Sequence, residues 1–187
     1  IENDALLCYS QASQPAAALD IEPQAVVRCL RQDSQGRIWL ATRNDGAVRL
    51  YDDRLQLLGY LSPDGRVLPR YVSFGAPVYS FAETPDGSIW LGSKPNGLYR
   101  LRARSQSVFF VDFIDDFGLH GVYDIKADTV CRQLWIATLG GGLASVQDYT
   151  AEQPRVVRRV AGYPASVSQR VRYIHLSQSG FLIAATT

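Results

Sequence analysis

The chain has 187 residues, one domain's length and enough to bury a sizeable core. Apolar residues make up 47% and charged residues 20%, a balance that excludes a disordered chain. The net charge is +1 with the signs mixed along the chain, so nothing marks it for nucleic acid or a membrane surface.

The cations are nearly all arginine, Lys94 and Lys126 being the two lysines. Spread as they are, they read as a habit of composition and not as a phosphate-binding patch. Cys8, Cys29 and Cys131 are odd in number, form no Cys-x-x-Cys pair and no metal spacing, and read as small buried residues. No apolar run approaches the ~20 residues that span a bilayer. No basic-then-apolar signal segment opens the chain either. A mature, processed or excised soluble piece is the expectation.

Taken in order, residues 1–25 are expected to be the remnant of a preceding unit. Within them Ala5–Tyr9 reads as a strand, and Ser10–Asp20 as a loop or part of the remnant. The first clear unit, 26–66, opens with a strand at Val27–Arg31. A turn at Gln32–Gly36 follows, in which Asp33 supplies a side-chain acceptor and Gly36 a positive φ. The next strand, Ile38–Ala41, is apolar on both faces, as a strand inside a layered stack must be. Strands at Ala47–Tyr51 and Leu55–Leu61 complete the unit, and an extra turn at Ser62–Gly65 makes it the longest. That turn predicts a hairpin before the next innermost strand.

The second unit, 78–118, repeats the scheme with strands at Val78–Ala82, Ser88–Ser93, Gly97–Leu101 and Ser107–Phe113, its first turn closing at Gly87. The third, 122–163, gives Val122–Lys126, Gln133–Thr138, Gly142–Val146 and Arg155–Val160. Its first turn has one extra residue and no glycine, which predicts a looser loop at Asp128–Arg132. A truncated unit, 171–187, holds two strands. Trp39, Trp90, Trp135 and Ile183 occupy one repeated position at spacings of 51, 45 and 48 residues. Four short antiparallel strands per unit of that period make an all-β propeller, about three full blades plus partial ones, from a larger ring of seven by expectation.

Aligned positions carry the packing. Val27, Val78, Val122 and Val171, with Leu30, Phe81, Ile125 and Ile174, are expected to anchor the innermost strands. Ala41, Gly92, Ala137 and Ala185 keep space beside the indole, which fills the gap between neighbouring sheets. Burying one such ring is worth a few kcal/mol, ~200 Å² at ~25 cal/mol/Å². Thr42, Ser93, Thr138 and Thr186 place a hydroxyl where it can bond the following turn.

The pattern Asp-x-x-Gly-x-Ile-Trp-Leu-Gly/Ala-Thr, followed by Gly-x-x-Arg-Leu, resembles the two-component regulator propeller repeat. The resemblance is strongest at 27–53 and 78–103, fair at 122–147 and partial at 171–187. It implies the periplasmic sensor portion of a hybrid two-component system of the kind found in gut Bacteroidetes. It also implies a parent protein with a further β-sandwich, a membrane helix, a histidine kinase and often a fused response regulator. Such sensors commonly respond to oligosaccharides. No kinase or receiver motif occurs in this chain.

Strand reversal fixes which loops share a face. The fourth-to-first connections and second-to-third turns emerge together, and loops on a rigid scaffold are where recognition sits. The connections offer Arg70, Tyr71, Phe74, Asp116, Phe117, His120, Tyr163 and Arg170 as ligand candidates. The turns offer Arg43, Asn44, Asp45, Lys94 and Asn96. Aromatics for sugar rings and polar groups for hydroxyls would suit a carbohydrate; the plainer reading is solvated loops with a few rings tucked inward.

No catalytic residue, metal site or cofactor is expected. His120 and His175 are the two histidines, the second reading as structural, and Gly140-Gly141-Gly142 lies between strands as a turn and not a nucleotide cradle. The acidic pairs Asp52-Asp53 and Asp115-Asp116 read as solvated. The alternatives are a propeller lyase with a metal at the channel mouth, and a propeller used for assembly alone. Three to four blades leave apolar end faces, which predicts remaining blades or a second copy as partner.

Overall fold

The structure, a computed structural model, describes residues 25–94 and 96–187 in full and the backbone of 5–9 and 15–20. The fold is all-β. Strands β1 (Ala5–Tyr9) and β2 (Pro15–Asp20) form a two-stranded antiparallel sheet, so part of the expected Ser10–Asp20 loop is a strand. Residues 10–14 and the side chain of Cys8 lie outside the described residues.

The first blade runs β3 (Val27–Gln32), β4 (Ile38–Thr42), β5 (Val48–Tyr51), β6 (Leu57–Leu61) and β7 (Val67–Leu68) in spatial order. Its fifth strand is the hairpin predicted from Ser62–Gly65, with Gly65 at φ 85° and its N–H donating to Ser62 O. The second blade is β8 (Val78–Glu83), β9 (Ile89–Ser93), β10 (Gly97–Ser105) and β11 (Val108–Asp115). The third is β12 (Val122–Asp128), β13 (Gln133–Thr138), β14 (Leu143–Gln147) and β15 (Arg155–Val157). A two-stranded sheet, β16 (Val171–Leu176) and β17 (Leu182–Thr186), follows. The first strands β3, β8, β12 and β16 lie against one another in sequence and are the innermost of their sheets.

Alternation along each second strand divides its side chains between two cores. Trp39 and Ala41 enter a core shared with Val78, Phe81, Ile89 and Leu91 of the second blade, while Leu40 joins Ala25 and Tyr51 on the opposite face. Trp90 leaves that core for one containing Val122, Ile125, Leu134 and Ile136 of the third blade. Trp135 and Ala137 turn to Val171 and Ile174. The indoles therefore lie between sheets as the spacing requires, Trp39 edge-on to Phe109 at 5.4 Å. A side chain at Gly92 would overlap Ser80 Oγ and Val122 Cγ1, so a small residue is needed there.

The turns add a bond that the motif did not reveal. Asp33 Oδ1 accepts from the N–H groups of Gln35 and Arg37, and its Oδ2 accepts from Trp39 Nε1 at 2.8 Å. Thr84 Oγ1 does the same for Trp90 Nε1 at 3.1 Å. In the third turn Asp128 Oδ1 accepts from the N–H groups of Val130 and Cys131, Arg132 takes the positive φ that glycine holds elsewhere, and Trp135 Nε1 has no partner among the described residues.

Several expectations need correction. Leu30 is 52% exposed, although Leu40 beside it is fully buried, whereas Phe81, Ile125 and Ile174 are buried as expected. Cys131 is exposed on the longer third turn, while Cys29 is half-buried between blades and burial pushes its thiol up to about 12. Thr42 and Thr138 bond their turns through Ala47 O and Gly142 O, but the buried Ser93 hydroxyl finds no partner among the described residues. Asp115 and Asp116 are not merely solvated: Arg158 binds both, at 3.0 and 3.4 Å.

Candidate functional site

The connections and second-to-third turns do share a face. Phe74 N donates to Gly46 O, Ser73 Oγ to the same carbonyl, and Tyr71 Oη to Asp45 O at 3.1 Å. Gly140 and Gly142 donate their N–H groups to Gln169 O. His120 lies so close over Gly140 and Gly141 that a Cβ at either would meet its ring within 3 Å, which is why that turn is glycine.

The candidates drawn from these loops divide sharply. Phe74 and Phe117 are 4% and 2% exposed and belong to the cores between blades, so neither has a face free for a ligand. Asp45 is held by Thr42, the Ala47 N–H and Arg49. Burial raises its pKa, but those three bonds outweigh it and bring the carboxyl below its ordinary value. Asp116 faces Arg158. Tyr163 covers Gly142 and donates to Ser168 O at 2.7 Å. Asn44 and Asn96 sit on the turns, exposed and half-buried, while Arg43, Arg70, Tyr71 and Arg170 are exposed. Lys94 reaches the innermost strand of the third blade, its Nζ 5.9 Å from the Tyr123 ring centroid.

What it reaches is a row absent from the sequence-based candidates. Every innermost strand slips register just after its first valine, between Val27 and Cys29, Val78 and Ser80, Val122 and Asp124, and Val171 and Tyr173. Such a bulge re-aims a side chain. The residues in the bulges are Arg28, Tyr79, Tyr123 and Arg172, one per blade. Arg28 lies 4.0 Å over the Tyr79 ring, Tyr79 meets Tyr123 edge-on at 5.2 Å, and Arg172 lies 5.8 Å over Tyr123. The row is thus continuous across the three blades and the two-stranded sheet that follows, at the strand ends from which the candidate loops emerge. The signal was present in the sequence: the aligned valines are followed by Arg, Tyr, Tyr and Arg.

The row supplies two guanidinium groups, two phenols and, with Lys94, an ammonium. It can stack on a ring and hydrogen-bond hydroxyl or anionic groups. Among the described residues, no three His, Cys, Asp or Glu side chains gather closely enough to hold a metal ion. No described helix is long and apolar enough to cross a membrane.

The sequence profile described as "Two component regulator propeller" matches residues 21–44 and 73–94, the turn-and-tryptophan segments of the first two blades. No curated protein sequence matches the chain. Among solved structures, PorZ, a surface component of the type-IX secretion system of Porphyromonas gingivalis, aligns over 95% of this chain and 27% of its own, with TM-score 0.69 and 18% identity. Virginiamycin B lyase from Staphylococcus aureus aligns over 98% of this chain and 63% of its own, with TM-score 0.66 and 14% identity. The extracellular domain of BT4673 from B. thetaiotaomicron, described as a one-component system, aligns over 97% of this chain and 21% of its own, with TM-score 0.55 and 16% identity. At these identities the likeness is one of fold. The chain spans less than two-thirds of each of these structures.

Proposed function

We propose that this chain, which carries two-component regulator propeller repeats, is the ligand-sensing propeller segment of an extracytoplasmic receptor and responds to an oligosaccharide. The observation that carries the reading is the pair of half-buried tyrosines, Tyr79 and Tyr123, flanked by cations at the loop-bearing rim of the innermost strands. In this reading the segment does no chemistry and lies in the periplasm. The output belongs to a histidine kinase in a membrane-anchored parent. The end faces, where Leu30, Phe181 and Ile183 stand exposed, meet further blades or a second copy.

A glycan-binding screen on the intact protein, paired with metal analysis, tests this. Saturable binding of an oligosaccharide without turnover supports the sensor. A bound divalent metal with turnover of a small-molecule substrate would move the assignment to a lyase. Neither result would leave a propeller used for assembly.

A further inference from the structure

Three cations stand around two aromatic rings here, with no carboxylate paired to them among the described residues. Arg28, Lys94 and Arg172 make no ion pair among the described residues, although Arg37, Arg49, Arg66, Arg100, Arg102, Lys126 and Arg158 all do. The nearest acid on the innermost strands, Asp124, is already engaged. Its Oδ1 accepts from Lys126 Nζ and the Ile125 N–H, and its Oδ2 from the Ile174 N–H. Gathering like charges costs free energy, and the ring quadrupoles offset only part of it. The Tyr79 and Tyr123 hydroxyls likewise have no hydrogen-bond partner among the described residues. A ligand that brought negative charge and hydroxyl groups together would satisfy the whole row.

We infer that the Arg28–Tyr79–Tyr123–Arg172 row, with Lys94, is a binding site for an acidic sugar, one whose ring carries a carboxylate or sulfate. The guanidinium groups match such anions in a two-pronged geometry that an ammonium lacks. The phenols pair with ring hydroxyls, and the tyrosine edges and faces give the ring its apolar contact. The bulges matter because they set these residues at one level in four blades, which a regular alternation would have turned into the cores. This deepens the sensor reading and rests on it for the word sugar; the anion preference rests on the unpaired cations alone.

The test is calorimetric titration of the intact protein with three probes: an oligogalacturonide, a sulfated chondroitin disaccharide and a neutral cello-oligosaccharide. The expected result is that one of the two acidic probes binds at least tenfold more tightly than the neutral one and weakens as salt rises from 50 to 300 mM. Arg28→Ala combined with Arg172→Ala should weaken that binding tenfold or more, and Tyr79→Phe with Tyr123→Phe several-fold. These side chains are outside the cores, so thermal midpoints should not move. Equal binding of the neutral probe, or acidic binding untouched by the double arginine change, overturns the inference and leaves the sugar sensor standing. Binding of benzoate with no sugar bound overturns the sugar and leaves an anion site. No binding of any probe overturns both.

Discussion

Arg49 of the first blade and Arg100 of the second hold the same place in the repeat, ten residues after the tryptophan in Gly-x-x-Arg-Leu, yet they face opposite ways. In the second blade Trp90 pairs with Arg100 itself; in the first, Trp39 pairs with Leu50. The turn explains the slip. Thr42 closes on Ala47 across residues 43–46, while Ser93 closes on Gly97 across 94–96. One extra turn residue moves every following side chain to the other face. So Val48 and Leu50 join Trp39 and send Tyr51 back to Leu40, whereas Leu98 joins Trp90 and Leu101 goes back to Ile89.

The two arginines therefore do different work. Arg100, 2% exposed, faces forward over Trp90 and holds the third blade through the carbonyls of Tyr149, Ala151 and Glu152 at 3.3, 2.7 and 2.8 Å. Arg49, 1% exposed, bonds Thr42 Oγ1 at 2.7 Å and Asp45 at 2.8 Å in its own blade. Arg100 joins its blade to the next, and Arg49 helps to fix the turn that created its register.

The most severe way to break the comparison is to remove the extra residue. Deleting Asn44 gives the first turn the length of the second, so β5 must either flip its faces or strain the turn. A flip takes Val48 and Leu50 from Trp39 and puts Arg49 in their place. The expected loss is on the order of 4 kcal/mol or more, by the cost of emptying two core positions. Urea denaturation followed by tryptophan fluorescence reads it, and a loss under ~1 kcal/mol would mean that turn length does not set the register.

Arg100→Leu should cost about 3 kcal/mol, because it removes one of the two arginines on Asp112 and strands three carbonyls, at least one of them on a buried residue. Arg49→Leu should cost less, about 1–2 kcal/mol, since the Asp45 it releases is already 23% exposed and can rehydrate. Equal losses at the two sites would show that the three carbonyl bonds of Arg100 add nothing to its total.

Much of this was readable in the chain. The tryptophan period and the two-faced apolar pattern of Ile38–Ala41 gave the blades, since a residue buried on each face demands a sheet on each side. What the alignment concealed was register, because Arg49 and Arg100 align in letters while one turn residue separates their faces. The site was half hidden for a related reason. Recognition is expected in loops, and that expectation takes in Phe74 and Phe117 as well, whose rings belong to the cores. The bulge row sits on strands, where alternation argues for burial, and only the local slip after each valine frees Arg28 and Tyr79 from that rule.

The finest difference between the blades is electrostatic. Asp45 answers to one arginine, but Asp112 receives Arg100 Nε at 3.1 Å and Arg102 Nε at 2.8 Å. Burial raises the pKa of both carboxyls, and their hydrogen bonds and cations outweigh it, so both lie below 3.8 in the folded chain. A carboxyl held lower in the folded state than in the unfolded one adds stability that is complete above the unfolded value and disappears as pH falls through the folded one. Stability should thus drop between pH 5 and pH 2. Asp45→Asn and Asp112→Asn should each flatten that drop, by tenths of a kcal/mol given how exposed these groups are, roughly as for surface pairs. Asp112→Asn should flatten it more, because a second guanidinium holds the charge and both lose their counter-ion together. If urea midpoints at the two pH values give the larger flattening to Asp45→Asn, the arginine that joins the blades contributes through its carbonyl bonds and not through its charge.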